Sequence, residues 1–374
     1  MGLLTAALPD FPWDTLVPYA RVARAHPRGI VDLSVGTPVD PTPDLVREAL
    51  AAAADSPGYP TTHGTPALRQ AVVDWFARRR GVPDLDPAAV LPTMGSKELV
   101  AFLPSLLGLG AGDVVVHPAT AYPTYDVGAR LAGATPLPAD DVAAWAGENV
   151  KLVWLNSPGN PDGTVRSVAE LREVVDAARS RGAIVASDEC YAELAWEEPW
   201  VSEGVPSLLD PQVTGGDLTG LLAVYSLSKQ SNLAGYRAAF VAGDPVLIAD
   251  LLATRKHAGL IVPAPVQAAM TVALSDDSHV AMQRERYRAR RVVLRGALDA
   301  AGLEVDGSQA GLYLWVRPAG APQDCWTTVG DLARLGILAA PGAFYGAAAA
   351  GHVRIALTAS DERIAEAAAR LNGA

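Results

Sequence analysis

Apolar runs of strand length alternate with segments of helical period along most of this 374-residue chain. Gly, Pro, Ser or Asn follows each apolar run, and intervals long enough for a helix separate most of the runs. This alternation is typical of an α/β fold with a mainly parallel sheet. Strands are predicted at Asp113–His117, Lys151–Leu155, Ala183–Ser187, Leu221–Tyr225 and Ala238–Ala242.

Two of the intervening helices have clear start signals. Thr65 and Pro66 suit the N-cap and first position of a helix that carries its apolar residues on one face and ends before Gly81. Ser167 and Glu170 have the spacing of a capping box at the start of a second helix. The starts of both helices are therefore predicted to the residue.

The composition excludes several classes of protein. There are 30 Lys and Arg residues against 41 Asp and Glu, and the net charge of −11 disfavours nucleic acids and anionic membrane surfaces as partners. The most apolar stretch, Leu99 to Gly112, is too short and too interrupted by Pro104 and glycines to span a bilayer. Two cysteines, Cys190 and Cys325, are too few for a disulfide framework and predict reduced thiols in a cytoplasmic protein.

The pattern changes after about residue 275. An Arg-rich helix is predicted from about His279 to Ala300, and strands follow at Leu312–Val316 and Val353–Leu357. We therefore predict a large domain over residues 40–275 and a smaller α+β domain over residues 276–374. Residues 1–39 are punctuated by prolines and lack a long periodic segment, so we predict an N-terminal arm that joins the small domain.

Three polar clusters directly follow predicted strands. In open sheets of parallel strands, ligands bind at the carboxyl ends of the strands, and these ends share one edge. The three clusters are therefore predicted to converge on one site. They have the sequences NSPGNP at residues 156–161, DECY at residues 188–191 and SLSK at residues 226–229.

Lys229 carries the most informative chemistry in these clusters. A strand-end lysine can form a Schiff base with a carbonyl cofactor, and the hydroxyls of Ser226 and Ser228 could bind the cofactor's phosphate. Taken alone, so short a motif more often marks a solvated lysine. The residues that accompany Lys229 in the sequence favour the cofactor interpretation instead. Arg237 offers a planar donor group to a phosphate, and Asp188 could pair with a pyridinium nitrogen and keep it protonated.

The order and spacing of these motifs resemble the class I/II aminotransferases, fold-type I enzymes that use pyridoxal 5′-phosphate. The resemblance covers nearly the whole chain. It implies a large domain with a seven-stranded, mainly parallel sheet and a smaller α+β domain. It also implies a homodimer that takes amino-acid and 2-oxoacid substrates, with glutamate and 2-oxoglutarate expected. The motifs are Asn156-x-Pro-x-Asn160-Pro-x-Gly163, Asp188-x-x-Tyr191, Ser226-x-Ser-Lys229 with Arg237, and His352-Val-Arg354-Ile.

The resemblance assigns the catalytic residues. It implies that Lys229 forms the Schiff base with the cofactor and moves the proton between the substrate Cα and the cofactor C4′. Asp188 would pair with the ring nitrogen. Asn160 and Tyr191 would be the partners of the ring oxygen O3′.

Further cofactor contacts follow from the same resemblance. Gly95, Ser96 and Lys97 precede an apolar helix whose N-terminal N–H groups can bind a phosphate. Tyr122 matches the aromatic residue that stacks on the pyridine ring, and Tyr59 matches a tyrosine that reaches the phosphate of the other subunit. A solvated lysine and a core tyrosine are the alternative interpretations of Lys97 and Tyr122.

Three residues are predicted to bind the substrate. Arg354 matches the arginine that binds the α-carboxylate, a bidentate role that lysine fills poorly. Gly36 fits the glycine whose backbone lies beside that carboxylate. Asn160 is the third residue that the resemblance implies in substrate binding.

Within the family, residues 8–14 (LPDFPWD) and 95–98 (GSKE) resemble the succinyldiaminopimelate aminotransferases of bacterial lysine biosynthesis. These enzymes convert N-succinyl-2-amino-6-ketopimelate and glutamate to N-succinyl-LL-2,6-diaminopimelate and 2-oxoglutarate. The sequence does not identify the cation that would bind the distal succinyl carboxylate. Arg21, Arg24, Lys256 and His257 are candidates, although each could also be solvated.

Other functions stay open at this point. An aminotransferase for aspartate, alanine or another amino acid would share these motifs, as would a fold-type I β-lyase or decarboxylase. A non-enzymatic regulator would need a basic DNA-binding module, for which this acidic chain offers no segment. The six histidines lack metal-ligand spacing, so no metal site is predicted. Walker and dinucleotide glycine motifs are absent, which disfavours an NTPase or a dehydrogenase.

Overall fold

The computed structural model describes residues 8–9, 12–320 and 324–373. Asp10 and Phe11 of the N-terminal motif lie outside the described residues. The helices are α1 (Val17–Arg24), α2 (Asp44–Ala52), α3 (Pro66–Arg79), α4 (Ser96–Leu106), α5 (Thr124–Ala132), α6 (Val168–Arg179), α7 (Trp200–Glu203), α8 (Pro211–Thr214), α9 (Leu227–Gln230), α10 (Pro245–Ala258), α11 (Ala264–Ser275), α12 (Ser278–Ala300), α13 (Cys325–Arg334) and α14 (Asp361–Asn372). The strands are β1 (Val31–Asp32), β2 (Val90–Met94), β3 (Val114–His117), β4 (Thr135–Pro138), β5 (Val150–Asn156), β6 (Ile184–Asp188), β7 (Leu221–Ser226), β8 (Ala238–Gly243), β9 (Leu303–Asp306), β10 (Tyr313–Pro318), β11 (Ile337–Leu338), β12 (Ala340–Pro341) and β13 (Val353–Ala356).

The large sheet has seven strands in the order β2-β8-β7-β6-β5-β3-β4. The pairs from β7 to β4 are parallel, whereas β8 runs antiparallel to both of its neighbours. Buried apolar clusters cover the sheet, with Phe240 in one cluster and Val241, the next residue of the same strand, in another. The predicted α/β fold with a mainly parallel seven-stranded sheet is therefore confirmed.

Two strands of this sheet were not predicted, and both lie at its edges. Strand β2 contains Pro92, and β4 contains Pro136 and Pro138. Proline cannot donate a ladder hydrogen bond, so it disfavours a strand in sequence analysis. An edge strand tolerates proline because one side of its backbone has no partner strand.

The start signals of the two predicted helices are confirmed. The Thr65 side chain accepts a hydrogen bond from the Leu68 amide at 3.1 Å, with Pro66 in the first turn of α3. Ser167 and Glu170 form the reciprocal capping box of α6. Helix α1 was not predicted. It begins Val17-Pro18, and proline is tolerated there because first-turn N–H groups have no partner within a helix.

A second, smaller sheet lies in the C-terminal part of the chain. Its strand order is β12-β13-β10-β9, and all three pairs are antiparallel. Helices α12 and α14 pack against each other beside it. Strand β1, which falls in the predicted arm, pairs in parallel with β11.

Asp40, the first residue after the predicted arm, accepts hydrogen bonds from side chains of the long helix α12. The Arg290 guanidinium donates two hydrogen bonds to the Asp40 carboxylate, at 2.6 and 2.8 Å, and Gln283 donates a third at 2.8 Å. Although burial opposes the shift, these hydrogen bonds hold the pKa of Asp40 below its usual value. The backbone that leads toward Gly36 is thereby anchored.

The carboxyl ends of the central strands are in register. Asn156 at the end of β5 pairs with Asp188 at the end of β6, and Asp188 pairs with Val224 of β7, two residues before Ser226. The three polar clusters therefore meet at one edge of the sheet, as predicted. None of the helices within the described ranges is long and apolar enough to cross a membrane.

A buried ion pair lies directly behind this edge. Arg80 donates a hydrogen bond to Glu189 at 2.8 Å, and both side chains are almost fully buried. Glu189 also accepts hydrogen bonds from the Leu208 amide and the Ser207 hydroxyl. Because Glu189 follows Asp188, this pair fixes the backbone that carries the Asp188 carboxylate.

We predict that Arg80→Ala lowers the free energy of unfolding by about 3–5 kcal/mol, because it leaves the Glu189 carboxylate buried without a cationic partner. Urea unfolding followed by far-UV circular dichroism measures the change. Arg47→Ala is the matched control, since Arg47 pairs with Asp44 on the surface of α2. Equal effects of the two substitutions would contradict the structural role of the buried pair.

Candidate active site

A cavity of about 540 Å³ lies at the carboxyl edge of the large sheet. It is bounded by the large sheet, by the segment after β1, and by strands β10 and β13 of the small sheet. Of the residues predicted to bind the cofactor or the α-carboxylate of the substrate, all but Gly95 and Tyr59 line it: Gly36, Ser96, Lys97, Tyr122, Asn160, Asp188, Tyr191, Ser226, Ser228, Lys229, Arg237 and Arg354.

Asp188 places a buried carboxylate at one wall of the cavity. It accepts hydrogen bonds from the Tyr125 hydroxyl at 3.1 Å and the Cys190 amide at 3.2 Å. Burial raises the pKa of Asp188 above that of an exposed aspartate, although these hydrogen bonds oppose the shift. Across the described ranges, Asp188 forms no salt bridge. The carboxylate is therefore poised to pair with a cation inside the cavity.

Lys229 extends from the short helix α9, directly after β7. Its Nζ donates a hydrogen bond to the Gly36 carbonyl at 2.5 Å. Gly36 belongs to the segment between β1 and α2, so the lysine amine contacts backbone that is remote in sequence. A partly buried amine in this position can react with a carbonyl group or transfer a proton.

Hydroxyl, guanidinium and backbone N–H groups gather around the start of α4. The Ser226 hydroxyl donates to the Ser228 hydroxyl at 2.8 Å. Gly95 caps α4 with φ of 81°, and a β-carbon on Gly95 would collide with the Arg237 guanidinium. Ser96 is the first residue of the helix, where free N–H groups attract anions. These groups together can hold a phosphate.

Arg354 provides a buried guanidinium on strand β13. It donates to the Asn160 side-chain oxygen at 2.9 Å and to the Ser34 carbonyl at 2.7 Å. Its Nε is buried without a hydrogen-bond partner, and no carboxylate within residues 12–320 or 324–373 pairs with it. A planar donor group in this state is suited to bind a carboxylate that enters the cavity.

Tyr122 and Lys97 lie together at the cavity wall. The Lys97 Nζ is 5.9 Å from the centroid of the Tyr122 ring. Lys97 is exposed and Tyr122 is half-buried, so both can be reached from the cavity mouth.

Several predicted residues lie elsewhere. Tyr59 is fully exposed. The four candidates for a distal carboxylate do not line the cavity: Arg21 and Arg24 are exposed on α1, and Lys256 and His257 are exposed near the end of α10. The expectation that one of these four contacts the substrate is not supported by their positions in this chain.

Sequence reasoning also missed residues that line the cavity. Tyr125 lies three residues after Tyr122 in the motif AYPTY, which could have suggested its contact with Asp188. Cys190 lines the cavity as a thiol whose pKa burial raises well above its usual value. Trp13 belongs to the motif LPDFPWD, but the sequence did not indicate that it lines the cavity, and no local motif marks Tyr313.

The family model for class I and II aminotransferases matches residues 28–371. The chain is 59% identical to a 4-dedimethylamino-4-oxo-anhydrotetracycline transaminase, OxyQ, of Streptomyces rimosus, over 97% of this chain and 99% of that protein. It is 58% identical to a protein named a probable aminotransferase of Mycobacterium tuberculosis, over 99% of this chain and 87% of that protein.

A solved structure supports the same assignment. A probable N-succinyldiaminopimelate aminotransferase from Thermus thermophilus superposes with a TM-score of 0.86 at 29% identity, covering 97% of this chain and 100% of that one. Since the family model matches most of the chain, the protein belongs to the class I and II aminotransferases, which are pyridoxal-phosphate-dependent enzymes that use amino-acid and 2-oxoacid substrates.

Proposed function

We propose that the cavity at the sheet edge holds pyridoxal 5′-phosphate on Lys229 and transfers an amino group from glutamate to an N-succinylated 2-amino-6-oxopimelate. The observation that carries the proposal is the buried Asp188 carboxylate, which faces the same cavity as Lys229 and has no salt-bridge partner in the described part of the chain. A pyridinium nitrogen is the cation that this pairing fits.

The residues present fit the cofactor at both of its ends. At the phosphate end, Ser226, Ser228, Arg237 and the N-terminus of α4 supply hydroxyl, guanidinium and N–H donors. Gly95 has a φ of 81°, which favours glycine, and lies against the Arg237 guanidinium at the start of α4. At the ring end, Asp188 would bind the nitrogen, and Asn160 and Tyr191 would contact O3′.

The remaining residues have roles in positioning and proton transfer. The bound cofactor supplies an electron sink for the carbon that carries the amino group. Lys229 Nζ moves the proton at that carbon, and Tyr122 covers one face of the ring. Arg354 binds the α-carboxylate through its planar donor group, with Asn160 and the Gly36 backbone beside it.

Lys97 is the residue we propose for the distal carboxylate of the substrate. Lys97 lies in the first turn of α4 and lines the cavity. A lysine on a flexible stem beside Tyr122 can reach acidic side chains of different length, which both glutamate and a succinylated arm require.

A ring ketone is a second candidate for the amino acceptor. The relative from Streptomyces rimosus is named for an oxo-anhydrotetracycline. A second cavity of about 570 Å³ shares Tyr122 with the first, and among the described residues its walls include Trp326, Phe344 and Asp126 but no lysine or arginine. Aromatic walls without a cation favour a planar group that carries no negative charge.

We also propose that the active unit is a homodimer in which Tyr59 reaches the phosphate bound by the other subunit. The support is the full exposure of Tyr59, which leaves its side chain accessible to a second chain.

The cofactor assignment predicts a covalent link at one residue. Borohydride treatment of the yellow holoenzyme, followed by peptide mapping, should place the reduced cofactor on Lys229, and Lys229→Ala should lose the reducible bond. Label on Lys97 or Lys256 in the parent protein would contradict the assignment.

We predict that Asp188→Asn retains the cofactor but lowers the rate of transamination by about 10²–10³ or more, because an amide cannot keep the ring nitrogen protonated. The visible absorption of the variant measures cofactor content, and 2-oxoglutarate formation measures the rate. A variant with full cofactor and parental turnover would exclude this role for the carboxylate.

The substrate assignment predicts that Lys97→Met raises KM for the succinylated substrate by about tenfold to a hundredfold, with a smaller change in kcat. Lys256→Met is the matched control, since this lysine is exposed away from the cavity. A loss of cofactor affinity with unchanged KM would instead place Lys97 at the phosphate.

The same assay compares kcat/KM across a panel of amino substrates and ring ketones. The panel includes aspartate, alanine, histidinol phosphate and aromatic amino acids. A value tenfold above that of the succinylated compound for any of these would overturn the substrate proposal and leave the aminotransferase assignment intact.

A further inference from the structure

Tyr313 brings a second tyrosine hydroxyl into the cavity from the small sheet. It is the first residue of β10, its side chain is almost fully buried, and it lines the cavity. Its hydroxyl lies 3.2 Å from the hydroxyl of Tyr191, which follows the large sheet at the end of β6. This hydrogen bond therefore joins the two sheets across the cavity.

The ring of Tyr313 supports the substrate-binding arginine. The Arg354 guanidinium carbon is 3.9 Å from the centroid of the Tyr313 ring, a cation–π distance. Arg354 lies on the neighbouring strand, where it pairs with Trp315, two residues from Tyr313 on the same face of β10. The ring thus fixes one face of a guanidinium whose edge carries the hydrogen bonds to Asn160 and Ser34.

Gly36 leaves room for the Tyr313 hydroxyl. A β-carbon on Gly36 would collide with the Tyr313 ring and hydroxyl. The carbonyl of this same glycine accepts the hydrogen bond from Lys229 Nζ. Tyr313 is therefore packed against three residues that the proposed function uses: Tyr191, Arg354 and Gly36.

We propose that Tyr313 is a positioning residue that polarises the Tyr191 hydroxyl through a donated hydrogen bond and orients Arg354 through its ring. The inference rests on the proposed function, because Tyr191 and Arg354 have their roles there. It assigns a role to Tyr313, which acts through Tyr191 and Arg354.

The direction of the hydrogen bond follows from the proposed role of Tyr191. Each tyrosine hydroxyl has a single hydrogen to donate. In the proposed function Tyr191 donates its hydrogen to O3′, so its oxygen accepts and the Tyr313 O–H donates across the 3.2 Å between them.

A hydroxyl that accepts one hydrogen bond donates a stronger one. Tyr191 would then stabilise negative charge on the cofactor's O3′, and O3′ would hold the proton that it shares with the Lys229 nitrogen less tightly. Without the Tyr313 hydroxyl, this shared proton should be held more tightly.

The test is a pH titration of the visible absorption band of the holoenzyme, without substrate. Tyr313→Phe keeps the ring and removes the hydroxyl, so we expect the titration midpoint to move to higher pH by about 0.4 to 1. We expect kcat to fall by about two- to tenfold while KM for glutamate stays unchanged. Tyr313→Leu removes the ring as well and should also raise KM.

Tyr345→Phe is the matched control, because the Tyr345 hydroxyl is buried but has no hydrogen-bond partner among the residues described. It should leave the midpoint at the parental pH. The double variant Tyr191→Phe/Tyr313→Phe separates direct action from action through Tyr191. If Tyr313 acts through Tyr191, the double variant should titrate like Tyr191→Phe alone.

A parental midpoint in Tyr313→Phe would overturn the inference while the proposed function stands. A further shift when Tyr313→Phe is added to Tyr191→Phe would overturn it as well. A parent protein without a titrating visible band linked to Lys229 would contradict the proposed function itself.

Discussion

Two buried charges of opposite sign face one cavity, and neither has an ion-pair partner across the described ranges. The Asp188 carboxylate is held by a tyrosine hydroxyl and a backbone amide, and the Arg354 guanidinium by an amide oxygen and a backbone carbonyl. Burying an unpaired charge costs several kcal/mol, which a bound partner of opposite charge offsets. A cationic ring nitrogen for Asp188 and an anionic carboxylate for Arg354 meet this requirement together.

Two buried charges beside the site have partners within the fold. Glu189, next to Asp188, is neutralised by Arg80, and Arg255 is fully buried in a two-point contact with Glu98 on α4. These pairs fix the backbone at the end of β6 and at the start of α4, where we propose that the ring and the phosphate of the cofactor bind. Asp188 differs from Glu189 and Glu98, because no cation among the described residues pairs with it.

The residue types in the local sequence motifs were sufficient to predict most of the residues that line the cavity. Lys229, Asp188 and Asn160 follow apolar strands, and parallel strands bring their carboxyl ends to one edge whatever the loops between them do. Residues that contact the site across the fold were not predictable in this way. Tyr313 lies 122 residues from its partner Tyr191, and strands β2 and β4 were concealed by proline. The distal-carboxylate candidates were chosen by charge alone and do not line the cavity, since charge does not indicate which helix face meets it.

The central claim is that this cavity stores an amino group and returns it to an oxoacid. The most direct measurement is a single half-reaction, in which the holoenzyme is mixed with glutamate alone and 2-oxoglutarate is quantified as the visible spectrum changes. The account predicts one equivalent of 2-oxoglutarate per Lys229 site, no free ammonia, and recovery of the original spectrum when the succinylated oxoacid is added. Continuous release of ammonia from an amino acid alone, as a lyase would give, would contradict it.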